Sequence, residues 1–76
     1  MSIKEKAAGI KRLLTDEAYT GLINEIKKDQ SDVFLDPQSS TEEREEAHTI
    51  VRAIGKIEDR IARILQDEAI YDKKQR

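Results

Sequence analysis

The only histidine, His48, follows Glu45 by three residues in Glu45-Glu46-Ala47-His48. Glu-x-x-His puts two ligands on one turn of a helix, the spacing of di-iron carboxylate bundles, whose sites are completed by carboxylates from other helices. Glu17 or Glu25 would have to supply them here. In the heptad register derived below, Glu45 falls at f and His48 at b, both away from the apolar seam, whereas a metal in a bundle core needs inward ligands. The sequence therefore predicts a solvated helix start with an incidental histidine and no metal. Nucleophilic chemistry has less to draw on, since there is no cysteine and the serines stand at cap or loop positions where their hydroxyls serve the backbone. The carboxylates lie in helix-starting runs, where water and the helix dipole keep them ordinary acids. No Gly-x-Gly-x-x-Gly loop or Walker motif is present to cradle phosphate. No catalytic or cofactor-binding residue is predicted, no cofactor is expected, and the chain is expected not to be an enzyme.

Basic residues gather at Lys4, Lys6, Lys11 and Arg12, at Lys27 and Lys28, and at Lys73, Lys74 and Arg76. Arg60 and Arg63 sit amid acids, and the terminal cluster follows a helix C-terminus, where the dipole favours positive charge. Lys73, Lys74 and Arg76 are the candidate nucleic-acid contacts. Against that role, 14 Lys+Arg and 16 Asp+Glu leave a net charge of −2, without the basic excess of a protein held mainly by phosphates. Nucleic acid is accordingly not the expected partner.

Any such residue must be positioned by helices, because the chain is punctuated at Thr15-Asp16 and at Asp36-Pro37-Gln38-Ser39-Ser40 into three segments of helical character. Ser2 and Glu5 can cap a first helix reciprocally, and Ile3, Ala7, Ile10 and Leu14 lie along one side of it. Thr15 or Asp16 caps a second, with Glu17 in its first turn. The apolar face of this helix reads Ala18/Tyr19, Leu22/Ile23, Ile26 and Val33/Phe34, interrupted by the polar run Asp29 to Asp32. Because the residue before a proline is pushed out of the helical region, it should stop near Leu35, with Phe34 and Leu35 plugging the end of a hairpin.

Ser39, Ser40 and Thr41 ahead of Glu42, Glu43, Glu45 and Glu46 make the strongest helix start in the chain. Beyond it Ala47, Ile54, Ile61 and Glu68 take heptad position a, and Ile50, Ile57, Ile64 and Tyr71 take d. Val51 and Leu65 at e widen the seam towards that of a bundle helix. The helices are expected at about 3–14, 16–35 and 41–72, with a flexible tail at 73–76. The third would be about 46 Å long and the second only about 30 Å. Either the first helix folds back over the remaining length, or the third pairs with its copy in another subunit. Glu58 at e reads as a residue reaching solvent or a neighbouring cation. Glu68 at a reads either as the end of the seam near Leu65 or as a polar subunit contact that fixes register.

The order Leu13-Leu14-Thr15-Asp16-Glu17-Ala18-Tyr19, Phe34-Leu35-Asp36-Pro37, Glu42-Glu43-Arg44-Glu45-Glu46-Ala47-His48 and Arg52-Ala53-Ile54-Gly55-Lys56-Ile57-Glu58 resembles a diffuse group of small helical tailed-phage proteins. These share a Leu-Leu-x-Asp-x-x-aromatic opening, a polar loop and a long Arg- and Glu-rich helix, and are encoded among genes for DNA packaging and virion assembly. The resemblance covers about residues 10 to 70. It implies a phage setting, hence a host-cell cytoplasm, and a helical protein, with no catalytic or ligand residue to carry over.

At 76 residues, 39% charged and 37% hydrophobic, the chain makes one domain with a small core. Lacking cysteine, it has neither disulfides nor a thiolate metal site to reinforce that core, whereas self-association could. No signal-peptide or membrane-spanning pattern is visible, so no membrane is expected and the cytoplasm is the default location. The sequence thus predicts an all-α domain over 1–76: a helical hairpin with a short extra N-terminal helix, forming a bundle by homo-oligomerisation as a dimer or higher. The expected interface is Leu22, Ile23, Ile26, Ile50, Ile54, Ile57, Ile61, Ile64 and Leu65. The expected function is that of a small non-catalytic structural or adaptor protein in phage particle assembly or DNA packaging, with a phage structural or packaging protein as further partner. The alternative is a regulatory binder, either a host-protein inhibitor or a weak nucleic-acid adaptor.

Overall fold

The Ser2 hydroxyl accepts a hydrogen bond from the Glu5 backbone N–H at 3.1 Å and starts α1 (Ile3–Thr15). The computed structural model describes residues 1–74. Asp16 alone separates α1 from α2 (Glu17–Leu35). Its backbone is extended (φ −77°, ψ 115°) and its N–H donates back to the Leu13 carbonyl. Its carboxylate accepts from the N–H groups of Ala18 at 2.8 Å and Tyr19 at 3.2 Å. One residue therefore closes one helix and caps the next. The polar run Asp29 to Asp32 does not interrupt α2, and Lys28 and Asp32, one turn apart, pair across it at 2.8 Å.

The turn after α2 is built around Asp36. Its carboxylate accepts from the Gln38 N–H at 2.8 Å and its carbonyl from the Ser39 N–H at 3.1 Å, with Pro37 between them presetting the backbone. Ser40 and Glu43 then cap each other: the Glu43 N–H donates to the Ser40 hydroxyl at 3.1 Å, and the Ser40 N–H to the Glu43 carboxylate at 2.9 Å. This opens α3 (Thr41–Lys74). The two Ser40 donors hold the Glu43 carboxyl below the ordinary glutamate pKa. A pKa lower in the folded chain than in the unfolded one means that the ionised cap stabilises at neutral pH. That contribution is lost as pH falls through the lowered value. Glu43→Gln keeps an acceptor but not the charge, so its stability deficit relative to wild type should shrink on acidification. Parallel thermal melts of the two proteins between neutral and acidic pH would show a constant deficit if the ionised cap contributes nothing.

Both shorter helices run antiparallel to α3 and lie end to end along it. Lys4 pairs with Asp72 and Lys11 with Glu68, which sets α1 against the C-terminal part of α3. Leu14, Tyr19 and Ile23 share a groove with Glu58 and Ile61, where the two short helices meet. Further along, Lys27 pairs with Glu58 at 2.9 Å, and at the turn an Arg44 Nη donates to the Asp36 carbonyl at 3.0 Å. The lengths agree: 13 and 19 residues rise about 48 Å together, against about 51 Å for the 34 residues of α3. Of the two ways to cover the long helix, the chain takes the first. The outcome is a rod of 57 × 22 × 17 Å.

The buried core is Ala7, Ala47, Ile54 and Ile61. The two alanines let α1 and α2 approach α3 closely, and the two isoleucines fill the seam between them. Three expectations are corrected. Phe34 and Leu35 do not plug the hairpin end but are 54% and 78% exposed, because the short turn drawn back by Arg44 leaves no layer to cover them. Lys73 and Lys74, expected in a flexible tail, are the last residues of α3, while Arg76 lies outside the described residues. The seam does not end at Leu65, since α1 covers its continuation. Glu68 is only 13% exposed at its side chain and its carboxylate is met by Lys11 of the same chain at 3.5 Å. Lys11→Met, which keeps the aliphatic stem and removes the charge, should therefore lower stability by about 1 kcal/mol, less than for a fully buried pair because the lysine is exposed. Adding Glu68→Met should restore it, as replacing both partners of such a pair by apolar groups is close to neutral. Urea midpoints at constant m-value would read both changes.

Candidate functional site

A long helix with apolar a and d rows needs neighbours on two sides, and the α1–α2 arm supplies one. The a row Ala47, Ile54 and Ile61 is therefore buried, whereas the d row is left along the flank of the rod: Ile50 and Ile64 are half-buried, Ile57 is 50% exposed and Tyr71 is exposed. At 100° per residue, Leu22 and Val33 lie to one side of the α2 face that meets α3, and Lys27 and Phe34 to the other. Lys27 reaches Glu58, and Phe34 shares a groove with Ala47, His48 and Val51, so that second side of α2 goes with the e side of α3. Leu22, itself 54% exposed, then belongs with the d row. One flank thus presents Leu22, Val33, Ile50, Ile57 and Ile64 as a continuous apolar strip from two helices.

Of the residues expected at an interface, Ile54 and Ile61 are used inside the chain and have no surface left to offer. Ile23, Ile26 and Leu65 are half-buried, and Leu22, Ile50, Ile57 and Ile64 form the accessible strip. The periodicity that identifies all of these cannot separate the covered row from the uncovered one, because both repeat every seven residues.

The opposite flank carries an open groove of about 600 Å³ lined by Phe34, Thr41, Arg44, Glu45, His48 and Thr49. Glu45 and His48 do come together there, both exposed, with hydroxyls and an arginine rather than further carboxylates. Among the described residues no three His, Cys, Asp or Glu side chains converge in a way that could hold a metal ion, and Glu17 and Glu25 are not drawn to this pair. The exposed Phe34, Leu35 and Val51 beside it were not foreseen as surface; the closeness of Phe34-Leu35 to Pro37 is the signal that they lie at a short turn.

The rod exposes 6191 Å². A folded monomer of its mass, 8.7 kDa, would expose about 4,700 Å², so the surplus is roughly 1,500 Å². A standard interface buries about 800 Å² on each partner.

Fold and surface together define an all-α helical hairpin whose first arm is broken at Asp16 and whose long helix keeps one apolar row open. Compared with known protein families, characterised proteins and solved structures, the chain matches none. Among the described residues no helix is long and apolar enough to cross a membrane.

Proposed function

We propose that this chain is a small non-catalytic structural or adaptor protein that self-associates through the Leu22, Ile50, Ile57 and Ile64 flank. Its setting, drawn from the resemblance to tailed-phage proteins, is particle assembly or DNA packaging in a host cytoplasm. The observation that carries the self-association is the surplus surface: a rod this thin has an apolar strip along its length and more exposed area than an ordinary monomer of its size. Water contact along such a strip costs about 25 cal/mol per Å², and a second copy can remove it from both subunits at once.

Sedimentation equilibrium over a range of micromolar concentrations tests this reading. A concentration-dependent mass supports it, because mass action couples assembly to concentration, and an invariant monomer overturns it. The regulatory-binder reading draws on a different observation, the exposed Phe34 and Leu35 at the turn end, where large apolar side chains stand free to enter a partner's pocket.

A further inference from the structure

Arg52, Lys56, Arg60 and Arg63 lie on the solvent side of α3, opposite the row that meets α1 and α2. Their spacings of four, four and three residues keep them on one strip of the helix, about 17 Å long at 1.5 Å per residue. Lys56 joins two shallow concavities, one lined with Thr49, Arg52 and Ala53 and the other with Asp59, Arg60 and Arg63, so the strip is continuous. All four side chains are exposed, and among the described residues none is in an ion pair, whereas Lys4, Lys11, Lys27 and Lys28 each have a carboxylate partner. The acids that flank these cations in the sequence are only partly with them in space. Glu58, at e, falls on the other side of the helix, where Lys27 meets it, while Asp59 lies within the strip beside Lys56, Arg60 and Arg63. Glu42, Glu45 and Glu46 lie at the start of α3, whereas Asp67, one turn beyond Arg63, closes the strip at its C-terminal end. Arg52, Lys56, Arg60 and Arg63 outnumber Asp59 and Asp67, so the strip is locally positive in a chain of net charge −2, and charges more than about 10 Å away are largely screened from it at 0.1 M salt.

We propose that this strip binds the phosphate backbone of a nucleic acid, without reading its sequence. Three of its four cations are arginines, whose planar fork fits phosphate oxygens through paired hydrogen bonds. The strip offers no large apolar side chain, only Thr49 and Ala53 between the cations, so it lacks the anchors that a protein partner would need at the centre of an interface. A rigid helix with charges a turn apart suits a regular polyanion laid along it. Arg60, at g, borders Ile57 and Ile64 at d, so an assembled dimer would carry two such strips, one along each rim of the apolar flank.

The test is fluorescence anisotropy of the full chain with a labelled duplex and a labelled single strand at several salt concentrations. Each strip should give a slope of log K against log salt of about −3.5 on duplex, and affinity should fall about a hundredfold between 50 and 200 mM salt. Arg52→Gln with Lys56→Gln, exposed positions where glutamine is a good helix former, should reduce the slope by about 2 per strip with the circular dichroism unchanged. Lys28→Gln, which removes a lysine already paired on α2, should leave the slope unaltered. Absence of binding at low salt, or an unchanged slope in the double variant, overturns the proposal. So does displacement of the oligonucleotide by polyglutamate as readily as by unlabelled DNA, an outcome that assigns the strip to an acidic protein instead.

Discussion

Ile57→Asp is expected to abolish self-association while leaving the folded rod intact. Ile57 is half out of its own chain's packing, so the substitution removes little from the hairpin core. In a symmetric pair the same change acts on both subunits, each losing an apolar contact and gaining a carboxylate that must be desolvated to bury. At about 2 kcal/mol per central interface position, two such positions weaken dimerisation roughly a thousandfold. Leu22→Asp, on the same flank but on α2, should act in the same direction. Val51→Asp, exposed on the opposite flank, should leave the association constant within a few fold of wild type. Sedimentation equilibrium of the three variants, with circular dichroism to confirm folding, separates the flanks. Equal weakening by all three would mean that assembly does not use the d row, and no weakening by Ile57→Asp or Leu22→Asp would remove that flank from the interface.

Ile61→Ala is expected to have the larger effect on folding itself. Ile61 is 8% exposed and sits where Leu14, Tyr19 and Ile23 converge, at the junction of all three helices. Removing three carbons there forfeits their burial and leaves a gap where the three helices meet. Core isoleucine to alanine changes cost about 2–5 kcal/mol, a large fraction of the few kcal/mol that a domain of this size has. Urea unfolding should show either a midpoint lowered accordingly or loss of a cooperative transition. Ile57→Ala, the same truncation four residues earlier on the uncovered row, should cost well under half as much when measured on the dissociated chain. Parity between the two would mean that the rows are not distinguished in solution as they are in the structure.

The contrast between these isoleucines bears on how much of the molecule can be read from its residues. The caps were legible: Ser2 with Glu5, Asp16 with Ala18 and Tyr19, and Ser40 with Glu43 are hydrogen bonds between groups two or three residues apart, and residue type and spacing specify them without regard to the rest of the fold. The a and d rows of α3 were legible for the same reason, since 3.6 residues per turn converts spacing directly into a face. Ion-pair partners were not. Glu58 meets Lys27 across 31 positions, and Glu68 meets Lys11, because helices that neither carboxylate belongs to happen to pass them. The basic strip is obscured along the chain, where Arg60 follows Glu58 and Asp59; the turn of the helix puts Glu58 on the far side and keeps Asp59 with the cations.

The residues by themselves determined three helices, their ends to within two positions, the all-α class and the apolar periodicity of the long one. All of these follow from short-range steric preferences, hydrogen bonds and side-chain spacing within a few turns. Tertiary structure decided the direction in which α1 leaves Asp16, and with it which isoleucines are covered and which stand open. One extended residue can turn either way at similar local cost. Its course is marked by the pairs Lys4 and Lys11 make with Asp72 and Glu68 at the far end of α3, more than fifty residues along the chain, and no local pattern encodes those contacts.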